Sequence, residues 1–269
     1  MKHFLQLSLA SLALAAGGSS AFAQATITHD RALAGNVTPG DAAGYPVTLS
    51  QPGHYKLMGN LVVPAGSTGI VITARDVTLD LNGFSIRGPV SCTGAIGTGQ
   101  MCSPQVALSN GVHIQAAATN AQVRNGTVGG FGNHGLHTEA AGRFTDLTLT
   151  DNVGNGAYVV GSLGGALFER VRAERNRYSG FWLNQPTVLL NVMAMFNGAW
   201  GITSASSEPV VSYITDSLAH GNHLHGLRLT NYATAVVRGN TFLLNNSGGA
   251  NLLGTPIPAG GNYEGTTFF

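Results

Sequence analysis

The chain has 269 residues; 9% are charged, against about 25% in an average globular domain, and 38 are glycine, roughly twice the usual share. That length suits one elongated domain or two ordinary ones. A formal net charge of +1 leaves no electrostatic footprint for nucleic acid or for an anionic membrane surface, so neither partner is expected.

Residues 1–23 read as a signal peptide: Lys2 supplies a positive start, residues 5–16 are apolar, and Ala21-Phe22-Ala23 is a small-x-small cleavage signature. The mature chain is expected to begin at Gln24 and to be secreted or periplasmic. No later stretch is apolar for the roughly 20 residues a membrane helix needs, so no membrane span is expected. Residues 24–52 have no clear period and carry the turn signals Thr38-Pro39-Gly40-Asp41 and Gly44-Tyr45-Pro46. They read as a cap over the open N-terminal end of the repeats.

Residues 55–63 form a first strand pair broken at Gly59-Asn60, and residues 69–73 with 77–88 make the first full repeat. Residues 89–107 then suspend the pattern. They are rich in Gly, Ser and Thr, hold Cys92 and Cys102, and read as an inserted loop. These are the only two cysteines, and an oxidising compartment favours a disulfide between them over two free thiols.

From there to about Leu253 a phrase recurs: Asn, three residues, Gly, then an alternating strand. It occupies Asn152 to Gly156, Asn176 to Gly180, Asn197 to Gly201, Asn222 to Gly226 and Asn245 to Gly249, and the glycines step by 24, 21, 25 and 23 residues. Gly111 and Gly135 keep the beat without the Asn. Six residues before each phrase stands a second ladder of Asn125, Asp146, Arg170, Asn191, Asp216 and, one residue out of step, Asn240, with Asn82 ahead of the loop. Asn and Asp tolerate the left-handed backbone of a corner, and stacked amides can bond along a ladder; Arg170 weakens it at one rung. A period in the low twenties marks a solenoid. The tail, residues 254–269, has Pro256 and Pro258 to stop strand pairing, and Tyr263, Phe268 and Phe269 to cover the C-terminal end or leave it as an assembly edge.

The strand Val77-Thr78-Leu79-Asp80-Leu81-Asn82-Gly83-Phe84, the Asn ladder and the Asn-to-Gly phrase resemble the right-handed parallel β-helix repeat proteins, which include the pectate-lyase-like folds. The resemblance spans roughly residues 53–253. It implies an all-β, single-stranded right-handed parallel β-helix of about eight coils, with an N-terminal cap and a short C-terminal cap. It also implies that the strand after each Gly lies on the face where β-helix lyases carry their sites.

Along that strand, positions one and three from the Gly are apolar except Thr138 and Ser204, so they face the core. Position two then points outward and reads His113, His137, Tyr158, Trp182, Thr203, Arg228, Asn251. Position four adds Gln115, Glu139, Asn184 and Thr230, and the turn before each Gly adds His134, Asn155, Trp200 and His225. Coils stack about 4.8 Å apart, so His113 to Trp182 should form one stripe. An aromatic face rimmed by hydrogen-bonding side chains suits a pyranose ring. Plain stabilisation of the sheet face and an assembly surface are the competing readings of the same row.

The chemistry known for the family does not map onto this face. It lacks the multiple aspartates of the polygalacturonases, the Asp-Pro-His-Asp signature of the alginate epimerases, and the several acidic ligands of a calcium-assisted lyase. Metal-free β-elimination on a uronic-acid polymer remains, with His137 as base, Tyr158 as acid, and Asn184 or His113 as stabiliser. Trp182, Asn184, Glu139, Arg228, Trp200 and His225 are the expected substrate-binding residues. No cofactor and no metal is assigned, although His220, His223 and His225 sit near one turn. Arg170, Arg172, Arg175 and Arg177 alternate with Glu169 and Glu174, which reads as a self-paired solvated face, or more sharply as an anionic-polymer patch. The expected function is binding, and cleavage if catalytic, of an extracellular polysaccharide by a monomer; the alternative is a non-catalytic surface or matrix protein.

Overall fold

The computed structural model describes residues 24–269; the signal-peptide reading of residues 1–23 falls outside them. The described chain is the right-handed parallel β-helix that the repeat implies, with about nine turns. The count exceeds the expected eight because the segment read as a cap supplies strands of its own. Val47–Leu49 pairs in parallel with Ile70–Ile72, and Ala25–Ile27 pairs with Gly53–Leu57. A single short helix, His29–Ala34, is N-capped by the Thr28 side chain.

Each turn contributes one strand to each of three faces. On the first, Val112, Leu136, Ala157, Phe181, Ile202 and Leu227 stand in register from rung to rung. On the second, Leu79, Val123, Phe144, Phe168, Leu189, Ile214 and Val237 do the same. All are fully buried. Alternation thus stacks like on like into a continuous core, which no single turn could bury alone. The third face narrows to alanine at Ala173, Ala194 and Ala219.

Those alanines and the Asn-to-Gly phrase share one cause. A Cβ on Gly180 would sit 2.8 Å from the Gly201 carbonyl oxygen, 2.9 Å from Asn197 Nδ2 and 3.1 Å from Ala194 Cβ, so only glycine lets the chain enter the first strand there. The phrase-opening Asn is fully buried at each turn. Asn197 Oδ1 accepts the Asn176 backbone N–H (3.1 Å) and side-chain amide (3.0 Å), and its own amide donates to the Ala173 carbonyl (3.0 Å). Asn176, Asn222 and Asn245 repeat the pattern, and Asn152 opens the ladder, donating to Asn176 Oδ1 while its own Oδ1 accepts the Phe131 N–H.

The bonded amide ladder is therefore this one and not the corner ladder expected to carry it. At the corners, Asn82, Asn125, Asp146, Arg170, Asn191 and Asp216 all adopt positive φ, between 51° and 61°. Arg170 keeps the corner conformation and reaches back to Asp146 at 2.7 and 3.0 Å, so its rung is tied rather than broken. In the last full turn Gly239, at φ 65°, takes the corner. That frees Asn240 to bury its side chain and bond Asn262 and the Ile214 carbonyl, which accounts for its one-residue slip.

Residues 89–107 form an antiparallel hairpin, Ser91–Thr93 with Met101–Ser103, in which Cys92 faces Cys102 and the two are disulfide-bonded. The hairpin lies along the turns that lead into the first strand. Gln100 Nε2 donates to the Phe196 carbonyl at 2.9 Å, and the Gly97 carbonyl meets His223 Nδ1 and Ser247 Oγ, each at 2.8 Å. At the C-terminal end Tyr263–Glu264 and Thr267–Phe268 make an antiparallel hairpin, and Phe269 packs on the core. No described helix is long and apolar enough to cross a membrane.

Candidate functional site

The parallel register brings the outward row together as a stripe: His113 pairs with His137, His137 with Tyr158, Tyr158 with Trp182. At its N-terminal end the His113 and His137 rings stack at 4.6 Å and 8° between planes. Glu139, two residues further along the same face, lies between them. Its Oε1 is 2.9 Å from His113 Nε2 and 3.9 Å from His137 Nε2, and the donor atoms of the three residues all fall within 4.8 Å of one another.

Two more rings close the cluster. His134 stacks on Tyr158 at 4.5 Å and meets His137 edge-on at 5.7 Å; His137 and Tyr158 are 5.2 Å apart. His134 Nδ1 accepts the Asn155 backbone N–H at 3.0 Å, which requires that nitrogen to be unprotonated. Burial, reinforced by the charge His137 would carry, holds the His134 imidazole down at about 3. Burial and the neighbouring His113 lower His137 to about 4 against the opposing pull of Glu139. Burial pushes the Glu139 carboxyl up, but the His113 hydrogen bond and the adjacent imidazoles outweigh it and leave a net lowering. His134 and His137 are thus neutral near pH 7, and His137 Nε2 is buried without a hydrogen-bond partner.

The aromatic end is built differently. Trp182 Nε1 donates to Asn184 Oδ1 at 2.7 Å, and Trp200 meets Trp182 edge-on at 6.0 Å. The Arg228 guanidinium lies 4.2 Å from the Trp200 ring centre and 5.9 Å from that of Trp182. Arg228 stands two rungs from Trp182, with Thr203 between them. Its side chain reaches back to both tryptophans, and Thr203, read as outward-facing, is 0% exposed. Asn251 also leaves the outward row. Leu252, not Ala250, pairs with Leu227, and the buried Asn251 amide oxygen ends the Asn ladder at Asn245. His225 is pushed down by burial and by the charge of Arg228, with Glu264 opposing.

Trp182 divides two recesses in this face. One, of 320 Å³, opens between it, Tyr158, His134 and Tyr178; the other, of 440 Å³, lies between it, Asn184, Ser206 and Glu208. A third, of 370 Å³, separates Tyr178 and Trp200 from Gly99 and Gln100 of the inserted hairpin. The turns into the first strand are short, yet the hairpin gives the face a wall on that side. Tyr178 and Glu208 are lining residues missing from the sequence reading; an aromatic inside the Asn-to-Gly phrase is the sequence signal for Tyr178.

The lesser constellations do not assemble. His220 packs edge-on against Phe196 at 5.4 Å, and His223 is engaged by the hairpin. The arginines of the 170–177 stretch are mostly self-paired: Arg170 with Asp146 and Glu169, Arg172 with Glu174, Arg175 with Asp151 and Glu174.

No family model matches the chain, and no curated protein matches it. Among solved structures it is similar to the mannuronan C-5 epimerase AlgE4 A-module of Azotobacter vinelandii, at 15% identity and a TM-score of 0.47 over 84% of this chain and 69% of that one. It is also similar to a double mutant of the periplasmic alginate epimerase AlgG (11%, TM-score 0.48, 82% and 71%) and to the Dettilon tailspike protein (13%, 0.47, 82% and 57%). By fold the chain is a parallel β-helix. At these identities and scores none of the likenesses assigns an activity.

Proposed function

We propose that this protein is exported and binds an acidic extracellular polysaccharide along the outer face of its first-strand sheet. The observation that carries the reading is the single in-register row of His113, His137, Tyr158 and Trp182, continued by Trp200 and Arg228, with recesses on both flanks of Trp182. An aromatic face can stack on the apolar side of a sugar ring while Asn184 and Tyr178 meet its hydroxyls. Arg228 is held by two tryptophans and offers its planar fork to a sugar carboxylate. Export is supported by the signal-like residues 1–23 and by the disulfide, which persists in oxidising compartments.

Affinity electrophoresis against a panel of polyuronates and neutral glucans tests the reading. The protein should be retarded by at least one polyuronate, and Trp182→Ala should lose about tenfold in affinity, equivalent to about 1.4 kcal/mol. Equal mobility in every gel would leave the structural or adhesive reading in its place.

A second reading, catalysis, is favoured by one observation: His137 Nε2 has no hydrogen-bond partner and its ring lies 5.2 Å from that of Tyr158. In β-elimination His137 takes the proton α to the uronate carboxylate, the electrons form the ring double bond, the bond to the leaving oxygen breaks, and Tyr158 protonates that oxygen. Ultraviolet absorbance of an unsaturated uronide, lost in His137→Asn, is the expected signal. Silence on every polyuronate removes the lyase.

A further inference from the structure

We infer that His113, His137 and Glu139 form a binding site for a divalent cation of the zinc class at the N-terminal end of the first-strand face. The two imidazoles hold the same outward position on neighbouring rungs, which fixes them side by side, and Glu139 projects from the same face two residues beyond His137. Tetrahedral zinc, with bonds of about 2.0–2.2 Å, sets its ligand atoms roughly 3.3 Å apart. The Glu139 oxygen lies 2.9 Å from His113 Nε2, a hydrogen bond that a cation replaces, and 3.9 Å from His137 Nε2, with all three ligand atoms within 4.8 Å of one another; the stacked rings turn toward each other to close on the ion.

The donor set selects the ion. Two imidazoles and one carboxylate suit a borderline cation, whereas calcium and magnesium ask for about six or more oxygens, and only one carboxylate is at hand. Three protein ligands on a partly exposed surface leave a fourth position open to the groove, which is the arrangement of a reactive site and not of a closed structural one.

One observation points to an occupant. His137 Nε2 is buried, 3.9 Å from the carboxylate and without a hydrogen-bond partner, a cost that a cation would remove. On the polysaccharide reading above, a sugar carboxylate arriving at this corner meets the Glu139 carboxylate. A divalent cation turns that repulsion into attraction. The cation site stands on the side-chain geometry alone; the assignment of a sugar oxygen to its open position rests on the polysaccharide reading above. Cation binding consumes the His137 lone pair, so it excludes the general-base role of the second reading.

Chelator-treated protein is titrated with Zn²⁺, with Co²⁺ for its absorption spectrum and with Ca²⁺ as the oxygen-seeking control. Expected are one equivalent of zinc per chain, a tetrahedral cobalt band, a raised Tm with zinc and no response to calcium. His113→Ala and the isosteric Glu139→Gln should each weaken zinc binding at least about 100-fold, since loss of an outer-shell partner alone costs about 10–100-fold. Far-UV circular dichroism should stay that of the wild type, and His220→Ala should bind zinc unchanged. No stoichiometric zinc on the folded wild type, or zinc binding that survives both ligand substitutions, overturns the site. Zinc bound as described with polyuronate affinity equal in loaded and chelated protein keeps the site and removes the sugar from its open position. The Trp182→Ala comparison tests the groove separately.

Discussion

At the scale of single residues, the groove depends on side chains whose state is set by neighbours one coil away. His134 is the clearest case: it is buried, its Nδ1 accepts the Asn155 backbone N–H, and its pKa is held at about 3 against an ordinary 6.5. The unfolded chain therefore takes up a proton near pH 6.5 that the folded chain refuses until about pH 3. Between those values the unfolded state binds more protons, so stability rises with pH; it is fully present above about 6.5 and is lost as the pH falls toward 3. In chelator-treated protein, denaturant midpoints measured across that window should fall more steeply for the wild type than for His134→Gln. Parallel pH profiles would show that the imidazole is not held neutral by the fold. His137 was legible as an outward residue from alternation alone. Its engagement with Glu139 was not, because that contact depends on side-chain reach between positions two and four of adjacent rungs, which no period encodes.

At the scale of elements, the repeat carries two kinds of Asn that look alike in the sequence. The phrase-opening Asn is a buried, fully bonded amide, whereas the corner Asn is an exposed residue chosen for its backbone conformation. Their substitutions should differ accordingly. Asn197→Ala strands the Asn176 N–H and the Ala173 carbonyl and should cost about 2 kcal/mol or more. Asn191→Ala only forces alanine into a left-handed corner and should cost about 1 kcal/mol. Chemical denaturation of the two variants checks the order; equal costs, or the reverse, would mean that the ladders have been assigned the wrong way round. Strand phase and register were readable because the glycine spacing is periodic and one face is apolar. The path of residues 89–107 was not. Their anchors at Phe196, His223 and Ser247 lie 96 to 150 residues away in sequence, and a Gly- and Ser-rich loop has no hydrophobic pattern to announce where it docks. The two-residue displacement of the final rung escaped for a related reason: Asn251 left the outward row to terminate the buried ladder, a requirement that exists only at the end of the stack.

At the scale of the whole molecule, parallel stacking turns one outward position per turn into a line of chemistry along the helix axis, with a histidine–carboxylate cluster at one end and an arginine clamped by tryptophans at the other. The two tryptophans of the chain, Trp182 and Trp200, both lie on this face. Tryptophan fluorescence therefore reports on the groove and on nothing else in the protein. Binding of an acidic polysaccharide along this line is open to a fluorescence titration with a polyuronate oligomer. A saturable change in emission is expected, shifted about tenfold to higher concentration in Arg228→Ala through loss of the carboxylate contact and of the clamp. An emission spectrum unmoved by any polyuronate at saturating concentration would contradict it.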